Sequence, residues 1–181
     1  MKKDNNKQGF TLIELLIVIA VMAILTTVVF VALNPLARFQ DSRNSRRWSD
    51  VNAILGAIKL HQVDNGGAYL DSITTNAMSG GVGNAQNFMI STKDTVTFTG
   101  TICGSAPVSS DAVIDLKQLV DKGYLPKLPF DPNDVNVLQG DGDVDISMYY
   151  LRVETNNAIT IGACTPEKGS AETTAVIEVT R

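Results

Sequence analysis

The sequence has 181 residues, with 15 Lys and Arg against 19 Asp and Glu, which gives a formal net charge of −4. This mildly acidic balance does not favour a protein that binds nucleic acid through a strongly basic surface. The single histidine, His61, excludes most Ser-His-Asp, Cys-His and multi-histidine metal sites. Because no complete catalytic set is present, we expect a protein that is not an enzyme.

The apolar residues are concentrated near the N-terminus. From Phe10 to Leu33, three threonines and Glu14 are the main interruptions of an apolar run. As a helix this run would reach about 36 Å at 1.5 Å per residue, enough to cross a hydrocarbon core of roughly 30 Å. A secretory signal peptide would have a shorter apolar region followed by a small-residue cleavage site. We therefore expect the segment to stay with the protein as a transmembrane helix.

Glu14 is the charged residue inside this run. A carboxylate within a membrane span costs about 2.5–3.5 kcal/mol on insertion scales. Two interpretations are open. Glu14 lies close enough to the helix start to reach the membrane interface, or it meets a positive charge on another subunit of an assembly.

Residues 7–15, KQGFTLIEL, follow a short basic leader and open the long apolar run. This arrangement closely resembles the processing site of type IV prepilins and of the pseudopilins of type II secretion. In that family a membrane peptidase cuts after the Gly, and the new terminal residue is N-methylated. The resemblance implies cleavage between Gly9 and Phe10, methylation of Phe10, and pairing of Glu14 with the terminal amine of a neighbouring Phe10. Such pairing would offset much of the cost of burying the carboxylate.

The same resemblance implies an α+β, pilin-like fold, in which a long N-terminal helix packs on a small antiparallel β-sheet. We expect a leader at residues 1–9, a transmembrane and polymerisation helix at 10–33, an amphipathic continuation at 34–65 and a globular domain at 66–181. Pro35 predicts a kink or break where the two helical parts meet. Charge counting does not orient the span, but the resemblance places the leader in the cytoplasm.

The function implied by the resemblance is that of a structural subunit of a type IV pilus or pilus-like filament. Its partners would be other copies of itself, the prepilin peptidase and methyltransferase, an inner-membrane assembly platform and, before assembly, membrane lipid. It would be a single-pass protein of the cytoplasmic (inner) membrane first, and part of an extracellular pilus or periplasm-spanning filament later.

Two other functions are open. Residues 123–132, GYLPKLPFDP, resemble a segment of major pseudopilins, which favours a pseudopilin of type II secretion. A membrane-anchored binding protein that does not polymerise would explain the apolar run, but neither Gly9–Phe10 nor Glu14.

Beyond the apolar run, the spacing of apolar residues predicts an amphipathic helix that ends at Gly66-Gly67. We expect His61 to be solvated or at the edge of the core. The predicted apolar face comprises Trp48, Val51, Ile54, Leu55 and Ile58.

Four arginines follow the apolar run, namely Arg38, Arg43, Arg46 and Arg47. Contact with lipid headgroups before assembly, pairing with acidic residues of neighbouring subunits, and binding of DNA are three open roles for them.

The rest of the chain predicts a small domain. Residues 76–87 predict an exposed loop, and residues 111–122 a short helix capped by Ser110 or Asp111. Alternation and β-branched residues predict strands at Val96–Thr99, Ile146–Val153, Ala158–Ala163 and Thr174–Thr180. The second and third of these strands would form a hairpin.

The two cysteines, Cys103 and Cys164, are far apart in the sequence and do not form a CxxC motif. In an exported protein the default interpretation is one disulfide, and two independent buried thiols are the alternative.

An acidic segment contains Asp141, Asp143 and Asp145, whose alternating oxygen ligands would suit Ca²⁺. It is not an EF-hand, because Ile146 and Arg152 occupy the positions of the turn glycine and the bidentate glutamate. Major pseudopilins that this region resembles hold calcium in a comparable loop. A solvated acidic turn is the alternative, and we expect no other cofactor.

Overall fold

The computed structural model describes residues 9–78, 86–92, 103, 113–133, 146–171 and 173–181. These residues form a long N-terminal helical arm followed by a five-stranded sheet on which the second half of the arm packs. The expected α+β, pilin-like fold is therefore confirmed.

The first helix, α1, spans Leu12–Leu33 and has no buried residue. The helical arm contains the one stretch, within the part of the chain that the structure describes, that is long and apolar enough to cross a membrane. Two hydroxyls inside the span are satisfied locally, because Thr26 donates to the Met22 carbonyl at 2.8 Å and Thr27 to the Ala23 carbonyl at 2.9 Å. Such internal hydrogen bonds suit a helix that has no water to bind.

The arm breaks at Asn34, whose backbone is left-handed with φ 41° and ψ 67°. The second helix, α2, begins at Pro35 and ends at Asp64. Proline fits the first position of a helix because the amide hydrogen it lacks has no intrahelical acceptor there. The predicted break at Pro35 is confirmed, and the helix ends just before Gly66 and Gly67, which both have positive φ.

The buried face of α2 differs from the prediction at one position. Val51, Ile54, Leu55 and Ile58 are buried as expected, but Trp48 is 41% exposed. The preceding residue, Arg47, is buried instead, one turn before Val51. The spacing of apolar residues could not predict this, because a charged side chain is buried only where oppositely charged or hydrogen-bonding groups surround it.

The sheet comprises five strands, β1 Asn87–Ser91, β2 Val113–Asp115, β3 Ile146–Val153, β4 Ile159–Ala163 and β5 Glu178–Thr180. Their order in the sheet is β2-β1-β3-β4-β5. Its strands β3 and β4 form the predicted hairpin, and α2 packs against β4 and β5. The sheet is mostly antiparallel as predicted, and at one edge β1 and β2 pair in parallel.

Other element bounds are corrected by the structure. The predicted helix at 111–122 is shorter, since α3 spans Lys117–Asp121 and the residues before it form β2. A π-helical turn, Ile73–Met78, occupies the start of the predicted loop at 76–87. The predicted strand at Val96–Thr99 and the predicted caps Ser110 and Asp111 lie outside the described residues.

Candidate functional site

The residues expected at the processing site form an exposed segment before α1. Gly9 is exposed, Phe10 is 93% exposed, and Thr11 has an extended backbone. Exposed segments at chain ends are the places where peptidases act most readily. The geometry is compatible with cleavage between Gly9 and Phe10, which remains a prediction.

Glu14 is held by a capping box at the start of α1. One carboxylate oxygen, Oε2, accepts hydrogen bonds from the Thr11 amide and the Thr11 hydroxyl, both at 2.8 Å. The Glu14 amide donates in return to the Thr11 hydroxyl at 3.3 Å. The pattern Thr-x-x-Glu is the sequence signature of this motif, so Thr11 could have been singled out from the sequence.

The capping box gives Glu14 a partner while the chain is a monomer. Its Oε1 accepts no hydrogen bond from any residue that the structure describes. This oxygen can receive a further donor, such as an amine from another chain, without breaking the capping box. The arrangement therefore accommodates both of the open interpretations of Glu14.

The large apolar side chains of α1 are all exposed. Those of the large residues from Leu12 to Leu33 are 48% to 81% exposed. A surface of this size requires lipid or other protein chains as its surroundings.

Two arginines of α2, Arg43 and Arg47, form a largely buried cluster with the carboxylates of Asp131 and Glu167. These carboxylates were not predicted as partners of the arginines. Arg47 has no exposed side-chain surface and donates to Asp131, with Nε to Oδ2 at 2.7 Å and Nη2 to Oδ1 at 2.8 Å. It also donates through Nη1 to Glu167 at 3.0 Å. Burial alone lowers the pKa of the Arg47 guanidinium, but the bonds to the two carboxylates outweigh it and raise that pKa.

Arg43 completes this cluster by holding Glu167 from the other side. Its Nε and Nη2 donate to the two carboxylate oxygens of Glu167, the first at 2.6 Å. These bonds from Arg43 are the main reason that the pKa of Glu167 lies below its ordinary value.

The segment around Glu167, which we call the strap (residues 165–170), also binds α2 through backbone groups. The Glu167 amide donates to Asn44 Oδ1 at 3.0 Å, and the Asn44 side chain donates to the Glu167 carbonyl at 2.7 Å. Further along, the Gly169 amide donates to Gln40 and the Ser170 amide to Asp41. The strap therefore fastens the first half of α2 to the globular domain.

These contacts divide the four arginines into two pairs. Arg43 and Arg47 are used inside the subunit, so they do not serve lipid, neighbouring subunits or DNA in this conformation. Arg46 lies 3.8 Å from Asp50 and keeps 60% of its side chain exposed. Arg38 is exposed, and its guanidinium makes no hydrogen bond or ion pair with any residue that the structure describes.

His61 is more buried than expected. It is 3% exposed and lies edge-on to the Tyr124 ring, with ring centroids 5.4 Å apart. Neither ring nitrogen has a hydrogen-bond partner within the described part of the chain. Burial lowers the pKa of His61, and the nearby charge of Lys122 lowers it further. The side chain therefore lies inside the core, rather than in solvent or at the edge of the core.

A disulfide joins Cys103 and Cys164, which are 61 positions apart in the sequence. Both sulfurs contact the sulfur of Met89 on β1, at 3.9 and 3.7 Å. The disulfide leads directly into the strap, so it fixes the point from which the strap crosses to α2.

The aspartates of the predicted calcium site, Asp141, Asp143 and Asp145, lie outside the described residues. Asp131, which is near them in sequence, forms an ion pair with Arg47. Over the described ranges, no group of three or more His, Cys, Asp or Glu residues is placed to hold a metal ion.

Comparison with known families identifies the N-terminal segment. Residues 4–30 match the family model of the prokaryotic N-terminal methylation motif. The match covers most of the expected leader, the capping box and most of α1. Neither the curated proteins nor the solved structures give a match to the chain.

Proposed function

We propose that this protein is a structural subunit of a type IV pilus or a closely related filament. The observation that carries the proposal is the match to the N-terminal methylation motif, which extends over most of α1, a helix of 22 residues of which none is buried. A subunit that works by assembly needs such a helix, because lipid covers it first and other copies cover it later. The motif belongs to a structural family, which supports a role in assembly rather than catalysis.

In this proposal a prepilin peptidase cuts between Gly9 and Phe10, and the new Phe10 amine is methylated. The cut creates a cation at Phe10, four positions before Glu14 and close to the membrane surface. The free Oε1 of Glu14 supports pairing with the Phe10 amine of a neighbouring copy, which would compensate the charge as the helix leaves lipid.

Repeated head-to-tail contacts that do not close on themselves produce an open helical filament. The strap supports this role because it binds α2 to the globular domain through Asn44 and Glu167. A force applied to the helical arm would therefore move the arm and the globular domain together.

The variant Glu14→Gln tests the proposal, because it removes the charge and keeps the shape of the side chain. We expect the variant to insert in the membrane and to be cleaved, but to form at least tenfold fewer filaments by electron microscopy. Thr27→Val is the matched control, since it removes a polar group elsewhere in α1, and it should assemble normally. Filaments at the wild-type level from Glu14→Gln would contradict the proposed pairing.

A major pseudopilin of type II secretion is the second candidate. The segment 123–132, GYLPKLPFDP, favours it because it resembles a segment of major pseudopilins. Deletion of the gene distinguishes the two. Loss of surface filaments indicates a pilus subunit, whereas loss of protein export without surface filaments indicates a pseudopilin.

A further inference from the structure

We infer that the first turn of α2 is a membrane-interface anchor, in which Arg38 binds the phosphate of a lipid headgroup before assembly. This inference rests on the proposed function in one respect only, namely that α1 spans a membrane. The anchor comprises residues 35–39, and it follows the span after the single break at Asn34.

The length of α1 places Arg38 at the right depth. The 22 residues of α1 cover about 33 Å at 1.5 Å per residue, which matches a hydrocarbon core of roughly 30 Å. The headgroup layer adds roughly 5–8 Å on each side of that core. Arg38 lies five residues beyond Leu33, about 7 Å along a helix, and therefore within that layer.

The side chains beside Arg38 suit the same position. Leu36 is 64% exposed and Phe39 is 63% exposed, although much of α2 packs on the globular domain. Residues three apart lie on the same side of a helix, so these two form one apolar patch that continues the surface of α1. Ala37 between them is buried, so the domain covers only one side of this turn.

The charges of α2 make Arg38 the arginine that fits a lipid phosphate. Arg43 and Arg47 are bound to Glu167 and Asp131 inside the subunit. Arg46 is exposed, but at 13 residues beyond Leu33 it lies about 20 Å along the helix, outside the headgroup layer. The charge of Arg38 interacts with that of Asp41, but its guanidinium makes no hydrogen bond or ion pair with a described residue. Guanidinium groups bind phosphate oxygens in a planar, two-point geometry.

The test uses the full-length chain, with carbon-13 in its arginine guanidinium groups, in nanodiscs of phosphatidylethanolamine and phosphatidylglycerol. Solid-state NMR measures the dephasing of the guanidinium carbons by lipid phosphorus-31, which requires direct contact. We expect dephasing in the wild type, its loss in Arg38→Gln, and its retention in the matched control Arg46→Gln.

Absence of dephasing in the wild type, its persistence in Arg38→Gln, or its loss in Arg46→Gln would each overturn the inference. Hydrogen exchange of the α1 amides in the same sample shows whether the helix has inserted. If α1 is inserted and dephasing is absent, only the lipid contact is wrong. If α1 exchanges freely with water, the membrane stage of the proposed function is wrong as well.

Discussion

Arg47 on α2 and Asp131, 84 positions later in the chain, form a two-point ion pair with no exposed surface on either side chain. Pairs of this kind give little net stabilisation over an apolar core of the same shape, but each partner depends strongly on the other. The ion pair therefore holds α2 in one position relative to the segment that contains Asp131.

Removal of one partner should be costly. We expect Asp131→Ala to lower the free energy of unfolding by about 3–5 kcal/mol, because it leaves the buried Arg47 without its main counter-charge. Chemical denaturation in detergent, followed by the fluorescence of Trp48, measures the change.

A double variant provides the control for this prediction. Arg47→Met combined with Asp131→Leu replaces the pair by apolar side chains and should recover most of the lost stability. A double variant that is as unstable as Asp131→Ala would show that the pair is not the source of the effect.

Glu167 makes the stability sensitive to acid. Its pKa in the folded protein is below the ordinary value of 4.5, chiefly because Arg43 donates to it. Folding therefore favours the ionised form, and this contribution is complete above about pH 4.5 and is lost as the pH falls toward the lowered pKa. We expect the melting temperature of the wild type to fall more steeply below about pH 4.5 than that of Glu167→Gln. Parallel curves for the two proteins would contradict this assignment.

His61 predicts a second, milder effect of pH. Because burial lowers its pKa from 6.5, the unfolded chain binds a proton more readily than the folded one. Stability should therefore decline as the pH falls below about 6.5, and His61→Phe should remove that decline. The variant should also gain about 1 kcal/mol at neutral pH, because it no longer buries two nitrogens that have no hydrogen-bond partner among the described residues. Unfolding curves at a series of pH values measure both effects.

The disulfide should contribute substantially, since it closes a long loop. For a sequence separation of 61, the chain-entropy model gives about 4 kcal/mol. We expect Cys103→Ser combined with Cys164→Ser to lower the unfolding free energy by about that amount, measured by denaturant titration without reductant. Mass mapping of the exported protein without reduction should link the two cysteine peptides, and free thiols in both would contradict the disulfide.

Local sequence patterns predicted the parts of the fold that depend on local physics. The long, mainly apolar run predicts α1, and Pro35 predicts the break after it. The helical spacing of Val51, Ile54 and Ile58 gives the buried face of α2. The β3–β4 hairpin follows from alternation on both sides of a polar turn.

The features that were predicted wrongly depend on contacts between distant parts of the chain. The pattern around Leu116 and Leu119 suggested a helix from residue 111, but Val113–Asp115 pairs with β1 instead, and this pairing is not visible locally. Arg47 looked like a surface residue because its partners, Asp131 and Glu167, are remote in sequence. The capping box was also not predicted, although Thr11 and Glu14 have the spacing that identifies it in the sequence.

The central claim is that this chain is processed as a prepilin and then assembles through α1. Intact-mass and terminal-peptide mass spectrometry of the protein from the cell surface or periplasm tests it most directly. The account predicts a chain that begins at Phe10 with a methyl group on its terminal amine. An exported chain that still carries Met1 and the leader would contradict it.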